Sequence, residues 1–159
     1  MNFLFTLIHT NMAKKKVLIL NGANLNMLAK RDPKIYGEGT LEKAHSDCKQ
    51  LAKELGLEID FKQSNFEGEI VGFIQDALDK FDGIIINAAA YTHTSIAIRD
   101  ALEMFHGKKI ELHISNIFKR EEFRQTSMLS DVVDATMCGF GIDGYTLALL
   151  GINNLIEGN

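Results

Sequence analysis

The chain has 159 residues, of which 46% are hydrophobic and 24% are charged, and its formal net charge is -4. A chain of this length can bury roughly two thirds of its unfolded surface as one domain, so no metal or disulfide is needed for stability. The lack of a basic excess argues against nucleic acid or an anionic membrane as a partner. A small anionic substrate would need local arginines or helix N-termini.

Residues 1–12 are expected to form an extension outside the fold, which leaves residues 13–159 as a single domain. Their apolar run is too short for a membrane span, and it lacks the basic segment that begins a signal peptide. Cys48 and Cys138 form no C-x-x-C pair and lie in apolar patterns. The sequence therefore predicts reduced core thiols in a cytoplasmic protein, without a zinc site.

The first predicted elements are a strand, a helix and a second strand. The apolar run Val17–Leu20 predicts a strand that is covered on both faces. Thr40 can cap a helix whose apolar residues follow the helical period, and Gly56 would end it. A strand is predicted at residues 57–61. The S-x-x-E pattern of residues 64–67 resembles a capping box ahead of the next helix.

The remaining elements continue this alternation. The next helix is predicted to place one apolar face at Ile70, Phe73, Ile74, Ala77, Leu78 and Phe81. Strands are predicted at residues 83–87, 109–113 and 135–139, and helices at residues 95–105, 120–125 and 144–156. Short connections between alternating strands and helices imply a flavodoxin-like α/β three-layer sandwich, whose five-stranded parallel sheet has the order 2-1-3-4-5.

Polar side chains follow three of these strands at the points where the strands end. Asn24, Arg31 and Tyr36 follow the first strand, residues 87–95 follow the third, and residues 111–116 follow the fourth. Each group alone has an ordinary explanation as a turn former, a loop anchor or a helix cap. Because parallel strands end at one edge of the sheet, their convergence favours a site.

Two residue types point to acid–base chemistry at this edge. Strand alternation places Glu111 and His113 on one face, where a carboxylate can orient the ring and make it a credible general acid, although a structural ion pair is equally consistent. The chain has four arginines, all in or beside these segments: Arg31, Arg99, Arg120 and Arg124. Because a cation favours a neighbouring phenolate, Tyr36 beside Arg31 is a candidate base.

The hydroxyls of residues 92–95 open a predicted helix, where they could hold an anion or act as ordinary caps. The sequence contains no P-loop, no G-x-G-x-x-G after the first strand, no H-E-x-x-H and no G-x-S-x-G. What remains is an acid, a candidate base and amides. This set suits proton abstraction beside a carbonyl, coupled to the loss of a hydroxyl.

Several motifs occur in order along the chain: Asn21–Leu28, Arg31–Pro33, Tyr36-Gly37, Asn65–Gly68, Asn87–Ser95 and Glu111–Asn116. At these spacings they resemble the type II 3-dehydroquinate dehydratases, and the similarity extends from about Lys16 to Ile156. The resemblance implies a flavodoxin-like fold and a lyase that needs no metal or cofactor. It further implies the conversion of 3-dehydroquinate to 3-dehydroshikimate and water in the shikimate pathway, as part of aromatic amino acid biosynthesis.

The resemblance also implies a role for individual residues. Tyr36 would remove the C2 proton, with Arg31 favouring its phenolate. The resulting enolate would be stabilised through a water held by Asn24, and His113, oriented by Glu111, would protonate the departing C1 hydroxyl. The implied substrate-binding residues are Asn87, His93, Asp100, Ile114, Ser115 and Arg124. Asp100 would act from a neighbouring subunit, which implies a trimer and, as is common in the family, a dodecamer.

The sequence leaves two alternative functions open. A flavodoxin-like module could bind flavin or act as a receiver without catalysis, although a receiver needs an acidic cluster where the first strand here ends in Asn21 and Asn24. A different lyase or isomerase acting on a polyhydroxy acid would keep the same site. Neither alternative changes the predicted fold.

Overall fold

The computed structural model describes residues 13–158, and the extension expected at residues 1–12 lies outside this range. Its five parallel strands form one sheet in the order β2-β1-β3-β4-β5, which confirms the predicted topology. The strands are β1 Lys16–Asn21, β2 Glu58–Gln63, β3 Gly83–Asn87, β4 Lys108–His113 and β5 Ala135–Cys138. The α-helices are α1 Pro33–Tyr36, α2 Leu41–Leu55, α3 Glu67–Ala77, α4 Ile96–Met104 and α5 Gly144–Glu157. Short 3₁₀ turns occur at Leu25–Lys30, Ala89–His93, Ile117–Lys119, Glu122–Arg124 and Gly141–Asp143.

The sheet separates two apolar layers, and β1 shows how one strand serves both. Val17 and Ile19 pack into the layer that contains α2 and α5. Leu18 and Leu20 pack into the opposite layer with α3 and α4. Each fully buried aliphatic side chain of this kind contributes about 1.5–3 kcal/mol to folding. The central strands are therefore the rigid part of the molecule.

Helix α2 begins and ends where the sequence predicted. The Thr40 hydroxyl oxygen accepts a hydrogen bond from the Lys43 backbone N–H at 3.1 Å, which satisfies one free donor of the first turn. At the other end Gly56 adopts a left-handed conformation, with φ of 69°. The long amphipathic helix between them covers one face of the sheet, in the apolar layer that it shares with α5.

The predicted capping box at residues 64–67 is wrong. Ser64 remains bound to the sheet, because its N–H donates to the Asn21 carbonyl at 3.0 Å. Its hydroxyl accepts from the Phe66 N–H at 2.9 Å and contacts the Glu69 carboxylate, so the chain makes a local turn before α3 begins. The helix ends at Ala77. Leu78 and Phe81 therefore reach the core from the following turn.

Two further expectations need correction. The short helix predicted at residues 120–125 is a single 3₁₀ turn at Glu122–Arg124, preceded by another at Ile117–Lys119. Both cysteines are free, but Cys138 is only partly buried, whereas Cys48 is fully buried. Cys138 lies on β5, at the edge of the sheet, where a strand has a neighbour on one side only.

The loops that leave β1 and β3 touch each other directly. The Gly22 N–H donates to the Asn87 carbonyl at 2.7 Å. A Cβ atom at position 22 would lie 2.1 Å from the Ala88 carbonyl oxygen, which no side chain could tolerate. Glycine at this position thus brings the two strand ends together and sets the floor of the site that follows.

Candidate active site

A pocket lies at the carboxyl ends of β1, β3 and β4, close to the point where the strand order reverses. Its volume is roughly 600 Å³ including the open mouth. The residues that line it are Ala23, Asn24, Leu25, Arg31, Tyr36, Asn87, Ala89, Ala90, His93, His113, Ile114, Ser115, Ile117, Arg120 and Arg124. Ligands of open α/β sheets bind in this type of crevice. The polar groups that the sequence placed at three strand ends do meet in one cavity.

Tyr36 is held by two guanidinium groups. Arg31 and Arg120 both donate to the phenolic oxygen, the latter at 2.8 Å. The Arg31 guanidinium carbon also lies 3.8 Å from the centre of the Tyr36 ring, within reach of a cation–π contact. The ring itself is 8% exposed. The phenolic oxygen of a buried tyrosine thus accepts hydrogen bonds from two cationic donors.

The local sequence explains how Tyr36 returns to Arg31. The Asp32 carboxylate caps helix α1 by accepting from the Lys34 N–H at 2.9 Å, and Pro33 occupies the first turn. Gly37 then ends the helix with φ of 75°. This single turn folds the phenol back onto the guanidinium five residues earlier in the chain.

Arg120 was not assigned a role from sequence, although it touches the candidate base. It lies 84 residues after Tyr36 and reaches it from the turn that follows β4. Burial lowers the pKa of the Arg31 guanidinium, and the charges of Arg120 and Arg124 add to this effect, whereas Tyr36 opposes it. A phenolate or a bound anion would relieve this accumulation of like charge. The sequence signal that could have pointed to Arg120 is the scarcity of arginine, since all four arginines lie in or beside the polar segments.

Glu111 and His113 form the second polar unit of the site. Glu111 Oε1 lies 2.7 Å from His113 Nε2, on one face of β4 as the strand alternation predicted. The two side chains are 0% and 5% exposed, respectively. The buried carboxylate fixes the orientation of the ring through this contact. His113 lines the pocket, and Glu111 supports it from behind.

His93 lies next to His113 in the pocket wall. The two ring centres are 6.3 Å apart, with 17° between the ring planes. Of the neighbouring hydroxyls considered as anion ligands, Ser95 caps α4 by accepting from the Ile98 N–H at 2.9 Å, and Thr92 is fully buried. The segment therefore contributes an imidazole to the pocket and uses Ser95 as an ordinary helix cap.

The amides of the site are held by their backbone and by buried partners. Asn24 adopts a left-handed conformation with φ of 68°, and its N–H donates to the Asn65 side chain at 2.8 Å. Asn87 donates from its side chain to the Tyr145 hydroxyl at 3.2 Å. Tyr145 donates in turn to the Asn21 side-chain oxygen at 2.5 Å. This buried Asn–Tyr–Asn network fixes the amide of Asn87 at the pocket floor.

The structure separates the other predicted substrate ligands into two groups. Ile114, Ser115 and Arg124 line the pocket. Asp100 does not line it but lies on α4, where its side chain is 61% exposed and 3.3 Å from Arg99. Within one chain, Asp100 is therefore not brought to the site.

The geometry first defines a class: a flavodoxin-like α/β protein whose strand ends carry a polar pocket lined by a phenol, two imidazoles and three guanidinium groups. Residues 15–153 match the family model described as Dehydroquinase class II. The 3-dehydroquinate dehydratase of Campylobacter lari is 51% identical over 142 residues, which cover 89% of this chain and 89% of the relative. That of Bartonella henselae is 54% identical over 133 residues, covering 84% of this chain and 90% of the relative.

A solved structure agrees with these sequence matches. The type II dehydroquinase of Butyrivibrio crossotus superposes with a TM-score of 0.85 at 44% identity, covering 88% of this chain and 98% of that chain. This chain therefore belongs to the class II dehydroquinase family, as the motif resemblance predicted. Membership in an enzyme family decides against the reading of a flavin-binding or receiver module.

Two kinds of feature are absent from the described residues. Within residues 13–158, no group of three or more His, Cys, Asp or Glu side chains is arranged to hold a metal ion. None of the helices in the same range has the length and apolar character needed to cross a membrane. Independence from metal and cofactor stays a prediction.

Proposed function

We propose that this chain dehydrates 3-dehydroquinate to 3-dehydroshikimate in the shikimate pathway, with Tyr36 as the base and His113 as the acid. The observation that carries the proposal is that a phenol between two guanidinium groups and an imidazole paired with a carboxylate open onto one cavity. An elimination of water needs one group that accepts a proton and another that delivers one. Family membership supplies the substrate class.

The first proposed step is removal of the C2 proton by the Tyr36 phenolate. Arg31 and Arg120 support this step because both donate to the phenolic oxygen. Electrons then shift to the C3 carbonyl oxygen and form an enolate. Asn24 would hold a water against that oxygen, a form of oxyanion stabilisation by neutral donors that are already in place.

The second proposed step is departure of the C1 hydroxyl as water. The His113 imidazolium would donate its proton to the leaving oxygen while the enolate collapses to the conjugated enone. Glu111 would stabilise the protonated ring before the transfer and keep it aligned, since its carboxylate oxygen lies 2.7 Å from Nε2. The enzyme then returns to its starting state when protons are exchanged with solvent.

Substrate binding is proposed for the remaining polar groups. The cavity-lining residues Asn87, His93, Ile114, Ser115 and Arg124 would contact the substrate carboxylate and hydroxyls. Asp100 would act on a neighbouring chain, which is consistent with its exposure and its absence from the lining of the pocket in its own chain. The proposed assembly is a trimer-based oligomer, with four trimers forming a dodecamer, in the cytoplasm.

The direct test is to add 3-dehydroquinate to the purified full-length chain and to record the ultraviolet absorbance of the conjugated enone. The signal should form without added metal and should persist with a chelator. Absence of enone at high protein concentration would disprove the proposed reaction. Loss of the signal with chelator alone would instead disprove metal independence.

A further inference from the structure

One short segment contacts His93 directly and also contacts Glu111, the carboxylate partner of His113. The Thr126 carbonyl oxygen lies 2.7 Å from His93 Nδ1. The Ser127 hydroxyl donates to Glu111 Oε2 at 2.9 Å, while the other oxygen of the same carboxylate contacts His113. We infer that residues 126 and 127 form a clasp that positions both imidazoles, with Ser127 acting on His113 through Glu111. The inference rests on the proposed function, because that proposal gives the two rings their roles.

The proton of the Ser127 hydroxyl can point in only one direction. Its oxygen accepts from the Leu129 N–H at 3.0 Å and from the Ser130 N–H at 3.1 Å. A hydroxyl has two acceptor lone pairs and one proton. With both acceptor sites in use, the proton is directed at Glu111. The carboxylate is thus bound through both oxygens, so that it cannot rotate away from His113.

The clasp is fixed to the segment that carries His93. The Met128 N–H donates to the Thr92 carbonyl at 2.8 Å. Leu129 is fully buried in the apolar layer on the α3 and α4 side of the sheet. The segment is therefore anchored directly after Ser127, by a backbone hydrogen bond and by core packing. An anchored backbone can hold in place the His93 ring and the Glu111 carboxylate that the segment contacts.

The Thr126 contact also sets the hydrogen-bonding role of His93. A carbonyl oxygen can only accept, so Nδ1 must carry a proton. In the neutral ring, Nε2 is then an acceptor. An acceptor nitrogen in the pocket wall suits a hydroxyl group of the substrate. The clasp thereby favours a polyhydroxy ligand at His93 and a fixed proton donor at His113.

The test compares enone formation by wild type, Ser127→Ala and Ser127→Thr. We expect the Ala variant to lose about tenfold to hundredfold in kcat, the range of one hydrogen bond to a charged group, with KM changed by less than about threefold. The Thr variant keeps the hydroxyl and should recover most of kcat. Ser130→Ala is the matched control, because it keeps the backbone N–H that Ser127 uses. If Ser127→Ala does not fold, Ser127→Cys replaces it, since a thiol is a weaker donor.

A second readout does not depend on turnover. Proton NMR of the ring N–H groups should show the His113 Nε2–H signal in wild type and in Ser130→Ala, and its loss or displacement in Ser127→Ala. Unchanged kcat and unchanged ring signals in Ser127→Ala would overturn the clasp while leaving the proposed reaction intact. An inactive wild type would overturn the reaction, and the ring signals would still decide whether the clasp exists.

Discussion

The two halves of the proposed catalytic machinery are built in different ways. His113 and Glu111 lie on β4 and are fixed by the regular alternation of a central strand. Tyr36 lies in a four-residue helix, and its second cation comes from a turn 84 residues away. The strand-built half is rigid because the core holds it. The loop-built half is assembled by contacts between irregular segments, so it should be the more sensitive to changes in conformation.

The largest effect is expected from a substitution at Tyr36, the centre of the loop-built half. Tyr36→Phe removes the proposed base while keeping the ring, so kcat should fall about 10²- to 10⁴-fold. Binding of substrate should stay within about tenfold, or roughly 1.4 kcal/mol. The measurement is enone formation together with binding by calorimetry. Tyr91→Phe is the control, since the Tyr91 hydroxyl donates to the Asn65 carbonyl and not into the pocket. A Tyr36→Phe enzyme that keeps most of its rate would assign the base elsewhere.

A smaller effect is expected from a substitution at Arg120, the cation that reaches Tyr36 from a distant part of the chain. Arg120→Ala removes one charged donor from the phenolic oxygen, which should lower kcat about tenfold to hundredfold. Lys119→Ala serves as the control, because Lys119 is exposed and precedes Arg120 directly. Both variants are compared by their pH–rate profiles. Equal activity of the two variants would mean that Arg31 alone supports Tyr36.

The sheet that carries the strand-built half is tested through the buried amide network at the ends of β1 and β3. Tyr145→Phe leaves the Asn21 side-chain oxygen without its donor and frees the Asn87 amide. The free energy of unfolding should fall by about 1–3 kcal/mol. Urea unfolding measures this change, with Tyr91→Phe as the partly buried counterpart outside the network. Unchanged stability would show that the network does not contribute to the rigidity of the pocket floor.

These contrasts explain how far the sequence could predict the site. The Glu111–His113 contact follows from a two-residue period, and the start of α2 follows from one cap, so both were predicted from local patterns. The Arg120–Tyr36 contact joins segments that are remote in the chain, and no local signal specifies it. The clasp at residues 126 and 127 was missed for the same reason.

The errors have a similar origin. The S-x-x-E pattern at residues 64–67 satisfied the rule for a capping box, but pairing between Ser64 and the sheet decided where the helix began. The exposure of Cys138 depended on the position of β5 at the edge of the sheet, which the residues around it did not reveal. Tertiary context overrode a correct local pattern in both cases.

The smallest expected effect concerns the core layer that contains α2 and α5, at high pH. Burial raises the pKa of the Cys48 thiol to about 12 from an ordinary value of 9.0. Since the folded-state pKa is the higher one, this contribution to stability is complete below pH 9.0 and is lost as pH rises toward 12. Wild type should lose about 1 kcal/mol more than Cys48→Ala between pH 9 and pH 10. Urea unfolding at these two pH values measures the difference, and parallel losses would contradict it.

The contact between Gly22 and Ala88 has a consequence for how the cavity can change its size. With backbone atoms packed this closely, the ends of β1 and β3 must shift as one body. Widening of the entrance is therefore left to the segments that carry Arg31 and Tyr36 and to the turns that carry Arg120 and Arg124. The motion that admits a ligand would then also bring Arg31 and Arg120 to the Tyr36 oxygen. A molecule too large for the closed cavity would therefore never meet the phenol with both guanidinium groups in place.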